Sequence, residues 1–146
     1  MSPLCKDTSD NLTDGNAVME LIQGLTPVQF DLLVAEKYRN KVDSAEKRGL
    51  EFRLSLNDFR RLLMKKRCAY TGILLTLHQY GSPKNADLTI ERIDSNRGYV
   101  PGNCIAVCAA ANNVKGAFED PNTFLSVQDA IRMFANVASI QKNAKQ

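Results

Sequence analysis

The sequence predicts a mixed α+β fold. Two stretches before residue 68 repeat apolar residues at helical spacing, short β-compatible runs follow up to residue 107, and helical spacing returns near the C-terminal end. The chain has 146 residues and is 44% hydrophobic, enough for one core. A single domain over 17–140 is therefore expected, behind a flexible tail at 1–16 rich in Ser, Thr, Asp, Asn and Gly.

Each element has its own signal. Thr26-Pro27 offers an N-cap with proline in the first helical position, and Phe30, Leu33, Val34, Lys37 and Tyr38 keep helical spacing until Gly49. Ser55, with Asp58 three residues on, introduces Phe59, Leu62 and Leu63, so a second, shorter helix is expected to end near Arg67. From Cys68 the character changes. CAYTGILLTL carries a Thr-Gly turn and a β-compatible run, Gly81, Ser82, Pro83 and Asn85 mark a loop, and 88–93 and 103–107 read as short strands. CAAANNVKGAF has the alanine content of a short helix closing near Gly116. Ser126 and Asp129 then open a helix over 126–140 with Val127, Ile131, Phe134 and Ala138 on one face.

The net charge is only +3, but positions 37–67 hold 11 basic residues against 4 acidic ones. This basic helical segment, 26–67, can face phosphates or be a solvated helix surface. No apolar run reaches membrane-spanning length, so no membrane partner and a cytoplasmic setting are expected. Cys5, Cys68, Cys104 and Cys108 contain no C-x-x-C pair, which argues for reduced thiols.

The densest polar chemistry lies in LTIERIDSNRGYVPGNCIAVCAAANNVK, at 88–115. If Glu91 converges with an asparagine of Asn112-Asn113, their oxygens suit a hard divalent cation such as magnesium or manganese. The ordered set of acid, Arg, Ile, Asp, turn, Gly-Tyr, Gly-Asn, Cys and an Asn- and Lys-bearing helix resembles the HNH (His-Asn-His) nucleases. The resemblance covers 68 to about 115, roughly a third of the chain, and implies a ββα-metal unit at 68–116 flanked by N- and C-terminal helices.

On that resemblance the chain is expected to be a metal-dependent endonuclease hydrolysing DNA phosphodiester bonds, in a bacterial cell or a phage-infected host. Glu91 would be the acidic metal ligand, Asn103 the brace between the strands, and Asn112 or Asn113 the last ligand. Lys115 would contact a phosphate, and Arg97 with Arg60, Arg61, Lys65, Lys66 and Arg67 would hold the DNA backbone. The chain departs from the pattern where the family carries its general-base histidine, because Arg92 stands there and a guanidinium cannot accept a proton from water. Arg92 can clamp a phosphate oxygen, while His78, Asp94 or a metal-bound hydroxide would supply the base. The other reading of this departure is a scaffold that binds nucleic acid or protein without hydrolysis. Thr71 and Ala111 replace the second cysteine of each zinc-binding pair found in many members, so no structural zinc is expected and Cys68 and Cys108 should pack as small apolar residues.

Overall fold

A computed structural model of the chain describes residues 21–77, 81–82 and 84–145; the expected tail at 1–16 and His78 lie outside the described residues. The described fold is mixed α+β: α1 (Pro27–Lys47), α2 (Leu56–Leu63), β1 (Leu88–Arg92), β2 (Cys104–Cys108), α3 (Ala109–Glu119) and α4 (Val127–Ala144). No helix among the described residues is long and apolar enough to cross a membrane.

Three helices start as the local sequence dictates. The Thr26 hydroxyl accepts from the Gln29 N–H while the Gln29 side chain accepts from the Thr26 N–H, and Ser55 with Asp58 and Ser126 with Asp129 repeat this reciprocal cap. The serine hydroxyl and amide hold the Asp58 and Asp129 carboxyls below the usual carboxylate range.

The main core forms where α1 and α2 meet one face of the strands. Phe30 and Val34 of α1, Phe59 and Leu63 of α2, Ile90 of β1, and Leu54 and Tyr99 from connecting segments are buried together. Tyr38 packs edge-on against both Phe52 and Phe59, at 5.5 and 5.4 Å between centroids, and its hydroxyl donates to the Leu54 carbonyl at 2.8 Å. A smaller cluster gathers Cys68, Leu75, Ala106, Val107 and Cys108. The strands are antiparallel, with Ile90 opposite Ala106, Glu91 opposite Ile105 and Arg92 opposite Cys104.

Four expectations are corrected. The second helix ends at Leu63 rather than near Arg67, because the chain beyond it turns to pair the Lys66 carbonyl with the Leu75 N–H and to bridge Arg67 with Leu74. The Thr-Gly turn forms as read, with the Gly72 N–H donating to the Cys68 carbonyl at 2.8 Å and Gly72 at the left-handed φ of 74° that a side chain disfavours. The β-compatible run after it, however, makes only single bridges, Arg67 with Leu74 and Thr76 with Asp87, in place of a strand. The third helix runs through Gly116 to Glu119. The last helix reaches Ala144, and its apolar stripe is not core: Val127, Ile131 and Phe134 are 64, 58 and 51% exposed, and only Ala130 is buried. Its described aromatic contact with the rest of the chain is Phe134 edge-on to Phe118.

Candidate functional site

The connection between the strands is held by one buried amide. Asn103 is 1% exposed, and its Oδ1 accepts from the Asp94 N–H at 2.9 Å. Its Nδ2 donates to the Asp94 carbonyl at 3.1 Å and to the Gly98 carbonyl at 2.9 Å. Both ends of the amide are therefore used, and the loop is locked to the start of β2 at two points. Asp94 caps the turn instead of reaching into a site: its Oδ1 accepts from the Asn96 N–H at 2.9 Å.

The Gly98-Tyr99 pair has a packing cause. A Cβ on Gly98 would sit 2.2 Å from the Glu51 carbonyl oxygen, so only glycine allows the loop to approach the segment before α2. That approach lets the Tyr99 N–H donate to Glu51 and the Arg53 N–H donate to Tyr99, both at 2.8 Å, and seats the Tyr99 ring in the core.

Successive side chains of a strand point to opposite faces, and here this separates Glu91 from Arg92. Glu91 is 8% exposed and faces α3, where the Lys115 ammonium donates to its Oε1 at 3.2 Å. Lys115 also donates to the Arg92 carbonyl at 3.3 Å and pairs with Glu119 one turn further along α3. Burial pushes the Lys115 ammonium down, but Glu119 and Glu91 outweigh it and raise it above the ordinary lysine value. Asn112 precedes Lys115 by three residues and so shares its side of the helix, whereas Asn113 is exposed on the next position round.

Arg92 turns the other way. Its Nη1 donates to the carbonyls of Ser95 at 2.7 Å and Arg97 at 2.8 Å, and its guanidinium stands 5.5 Å from the Tyr99 ring centroid. The expected neighbourhood of Glu91 and Arg92 at one centre is thus divided between the two faces of the strand pair.

Among the other basic residues, Arg60 pairs with Asp31 at 3.1 Å and lies over Phe30, and Arg67 donates to the Gly72 carbonyl at 2.9 Å. Arg61, Lys65, Lys66 and Arg97 are exposed. Cys68 and Cys108 are buried, as their expected packing requires. Their surroundings are nonetheless polar on one side. Burial pushes the Cys68 thiol up, but the Thr71 hydroxyl and the backbone amides of Cys108, Thr71 and Tyr70 bring it down to about 7.

Glu119 and the convergence of Lys41 with Arg48 escaped the sequence reading. Glu119 lies at i+4 from Lys115, a spacing that would have paired them had the helix been extended past Gly116. Lys41 and Arg48 of the α1 region converge on Tyr99, which a count of basic residues does not reveal.

A carboxylate, an amide oxygen and water form a donor set that a hard cation accepts, and Glu91 and Asn112 carry groups of the first two kinds. No group of three or more His, Cys, Asp or Glu suited to a metal ion occurs among the described residues. No protein-family profile and no solved structure match the chain. It is similar to an uncharacterized protein of Acanthamoeba polyphaga mimivirus, at 31% identity over 82% of this chain and 19% of that protein. It is also similar to an uncharacterized 29.0 kDa protein from the dda-modA intergenic region of Enterobacteria phage T4, at 35% identity over 51% of this chain and 29% of that protein. The chain thus spans less than a third of the length of these curated relatives.

Proposed function

We propose that the strand-loop-strand-helix unit is an HNH-like ββα-metal unit and that the protein is a metal-dependent endonuclease acting on DNA. The observation that carries this reading is the placement of Glu91, a nearly buried carboxylate at the end of β1 held against α3 beside Lys115, one turn from Asn112. Asn103 supports it by bracing the loop through both ends of its amide, the part that the resemblance assigns to the central asparagine.

Glu91 and Asn112 would hold a magnesium or manganese ion, which supplies positive charge to a phosphate when bound. The chain's own residues do the positioning. Lys115 orients the Glu91 carboxylate from one oxygen, leaving Oε2 for a further partner, and Asn103 keeps the β1 end from shifting. Exposed Arg61, Lys65 and Lys66 would add sequence-independent attraction for the DNA backbone. His78 is the only histidine of the chain and the base candidate among its titratable side chains. Both relatives come from viruses, which supports a phage or viral setting.

A second reading, a scaffold that holds nucleic acid without cutting it, is favoured by Arg92. Not only does an arginine stand in the place of the general base, but its Nη1 is committed to two loop carbonyls on the face away from Glu91. Nicking of supercoiled plasmid in magnesium, manganese or chelator separates the two. The nuclease reading expects metal-dependent nicking that Glu91→Ala abolishes while DNA binding persists. Nicking that survives Glu91→Ala would refute this site, and DNA binding with no nicking in either metal would select the scaffold.

A further inference from the structure

The face of the strand pair turned towards α1 carries an unusual collection of charge. The Lys41 ammonium lies 5.2 Å from the Tyr99 centroid, the Arg48 guanidinium 5.8 Å and the Arg92 guanidinium 5.5 Å. No two of these cations can then be more than about 11 Å apart, close to one Debye length at 0.1 M salt. A ring has two sides, so at least two of the three stand over the same one.

None of the three has a carboxylate partner among the described residues. Ion pairs there go to Glu51, Asp31, Glu91, Glu119 and Asp129, and each takes its cation from elsewhere. Arg48 instead donates from Nε to the Ser44 carbonyl at 3.2 Å and from Nη2 to the Tyr99 hydroxyl at 3.0 Å. Arg92 uses Nη1 for Ser95 and Arg97. These bonds fix both guanidinium planes, yet leave Nη1 of Arg48, Nη2 of Arg92 and the Lys41 ammonium with donors to offer. Neutral carbonyls and a π-face compensate three charges poorly, whereas the phosphates of a nucleic-acid backbone supply charged acceptor oxygens for the donors left over. Arg48 is exposed and Lys41 and Arg92 are half-buried, so the cluster opens to solvent.

We propose that Lys41, Arg48 and Arg92, gathered round the Tyr99 ring, form a phosphate site that holds the nucleic-acid backbone on the face of the strand pair opposite Glu91. Tyr99 reports the local potential: burial pushes its phenol up, but the Arg48 hydrogen bond and the Lys41, Arg48 and Arg92 charges bring it below the ordinary tyrosine value. The inference rests on the nucleic-acid-binding part of the proposed function and not on hydrolysis. It gives Arg92 a task that does not require it to stand beside the metal ligand.

Binding of a short DNA duplex, measured in chelator over a range of salt concentrations, tests the site. Lys41 is the cleanest probe, because its ammonium touches the ring and makes no hydrogen bond that the fold needs. Lys41→Gln should weaken binding and lower the slope of log K against log salt by about 0.9, the value of one phosphate contact, while Lys41→Arg retains the slope. Lys142→Gln, near the far end of α4, should leave it unchanged. An unchanged slope in a Lys41→Gln protein that melts normally would overturn the proposal. Protection from melting by inorganic phosphate that Lys41→Gln removes, without a change in the DNA slope, would reduce the site to one for free phosphate and overturn its backbone role. Since chelator removes cleavage from the assay, plasmid nicking in magnesium judges the nuclease separately: nicking with an unchanged slope refutes this site alone, and a reduced slope without nicking refutes the nuclease alone.

Discussion

The two faces of the β1–β2 pair invert one another's charge although Glu91 and Arg92 are adjacent in sequence. Towards α3, two carboxylates, Glu91 and Glu119, share the single ammonium of Lys115. Towards α1, three cations surround Tyr99 without a carboxylate partner among the described residues. Each face is suited to what the other repels: an extra cation on the first, a phosphate on the second. A two-stranded ribbon thus presents opposite charge on its two faces because its pleat sends neighbouring side chains apart.

The comparison breaks most completely if the Gly98 approach is lost. Gly98→Ala places a Cβ against the Glu51 carbonyl and should cost about 3 kcal/mol, read as a lower urea midpoint. It should also release Tyr99 from the cation cluster. An unchanged midpoint would show that the loop does not need this contact.

The α3 face alone is broken by Lys115→Met, which strands Glu91 nearly buried without a counter-charge. A loss of about 2 kcal/mol is expected, below the full cost of breaking a buried pair because Lys115 is partly solvated. Glu91→Gln combined with Lys115→Met should recover most of it. If the double variant is no more stable than Lys115→Met, the pair is not the source of the loss.

Tyr99→Phe sharpens the other face with the smallest effect. Removing the hydroxyl deletes the acceptor for Arg48 and should cost about 1 kcal/mol while the ring stays in the core. The sign with pH follows from the depressed phenol: its contribution is fully present above the ordinary tyrosine value and is lost as pH falls through the lower folded one. Ultraviolet titration of the wild type should therefore show a tyrosine ionising early that is missing from Tyr99→Phe. Identical titration curves apart from amplitude would remove the case for a positive potential at the ring.

Much of the local structure was legible because its causes lie within four residues. Thr26-Pro27, Ser55-Asp58 and Ser126-Asp129 announce three helix starts through caps that the same residues complete. The family resemblance, not local spacing, implied that Asn103 braces the loop, and its amide bonds the loop on both sides. The turn at Thr71-Gly72 was legible, but the β-compatible run after it is no strand, because its backbone is satisfied through single bridges whose partners lie outside any short window. The α4 stripe was correctly periodic, yet periodicity does not say what covers a face, and this one is mostly open.

By itself, the sequence determined the element types, the capped helix starts, the glycine at the loop and the set of polar groups available for chemistry. These follow from backbone propensity and hydrogen bonds between near neighbours. Only the tertiary structure decided that Glu91 meets Lys115 and that Arg92 joins Lys41 and Arg48 round Tyr99. The physical reason is that facing charges are brought together by packing α1 and α3 on opposite sides of a pleated strand. Residues 24 or 51 positions apart become partners only when that packing is complete.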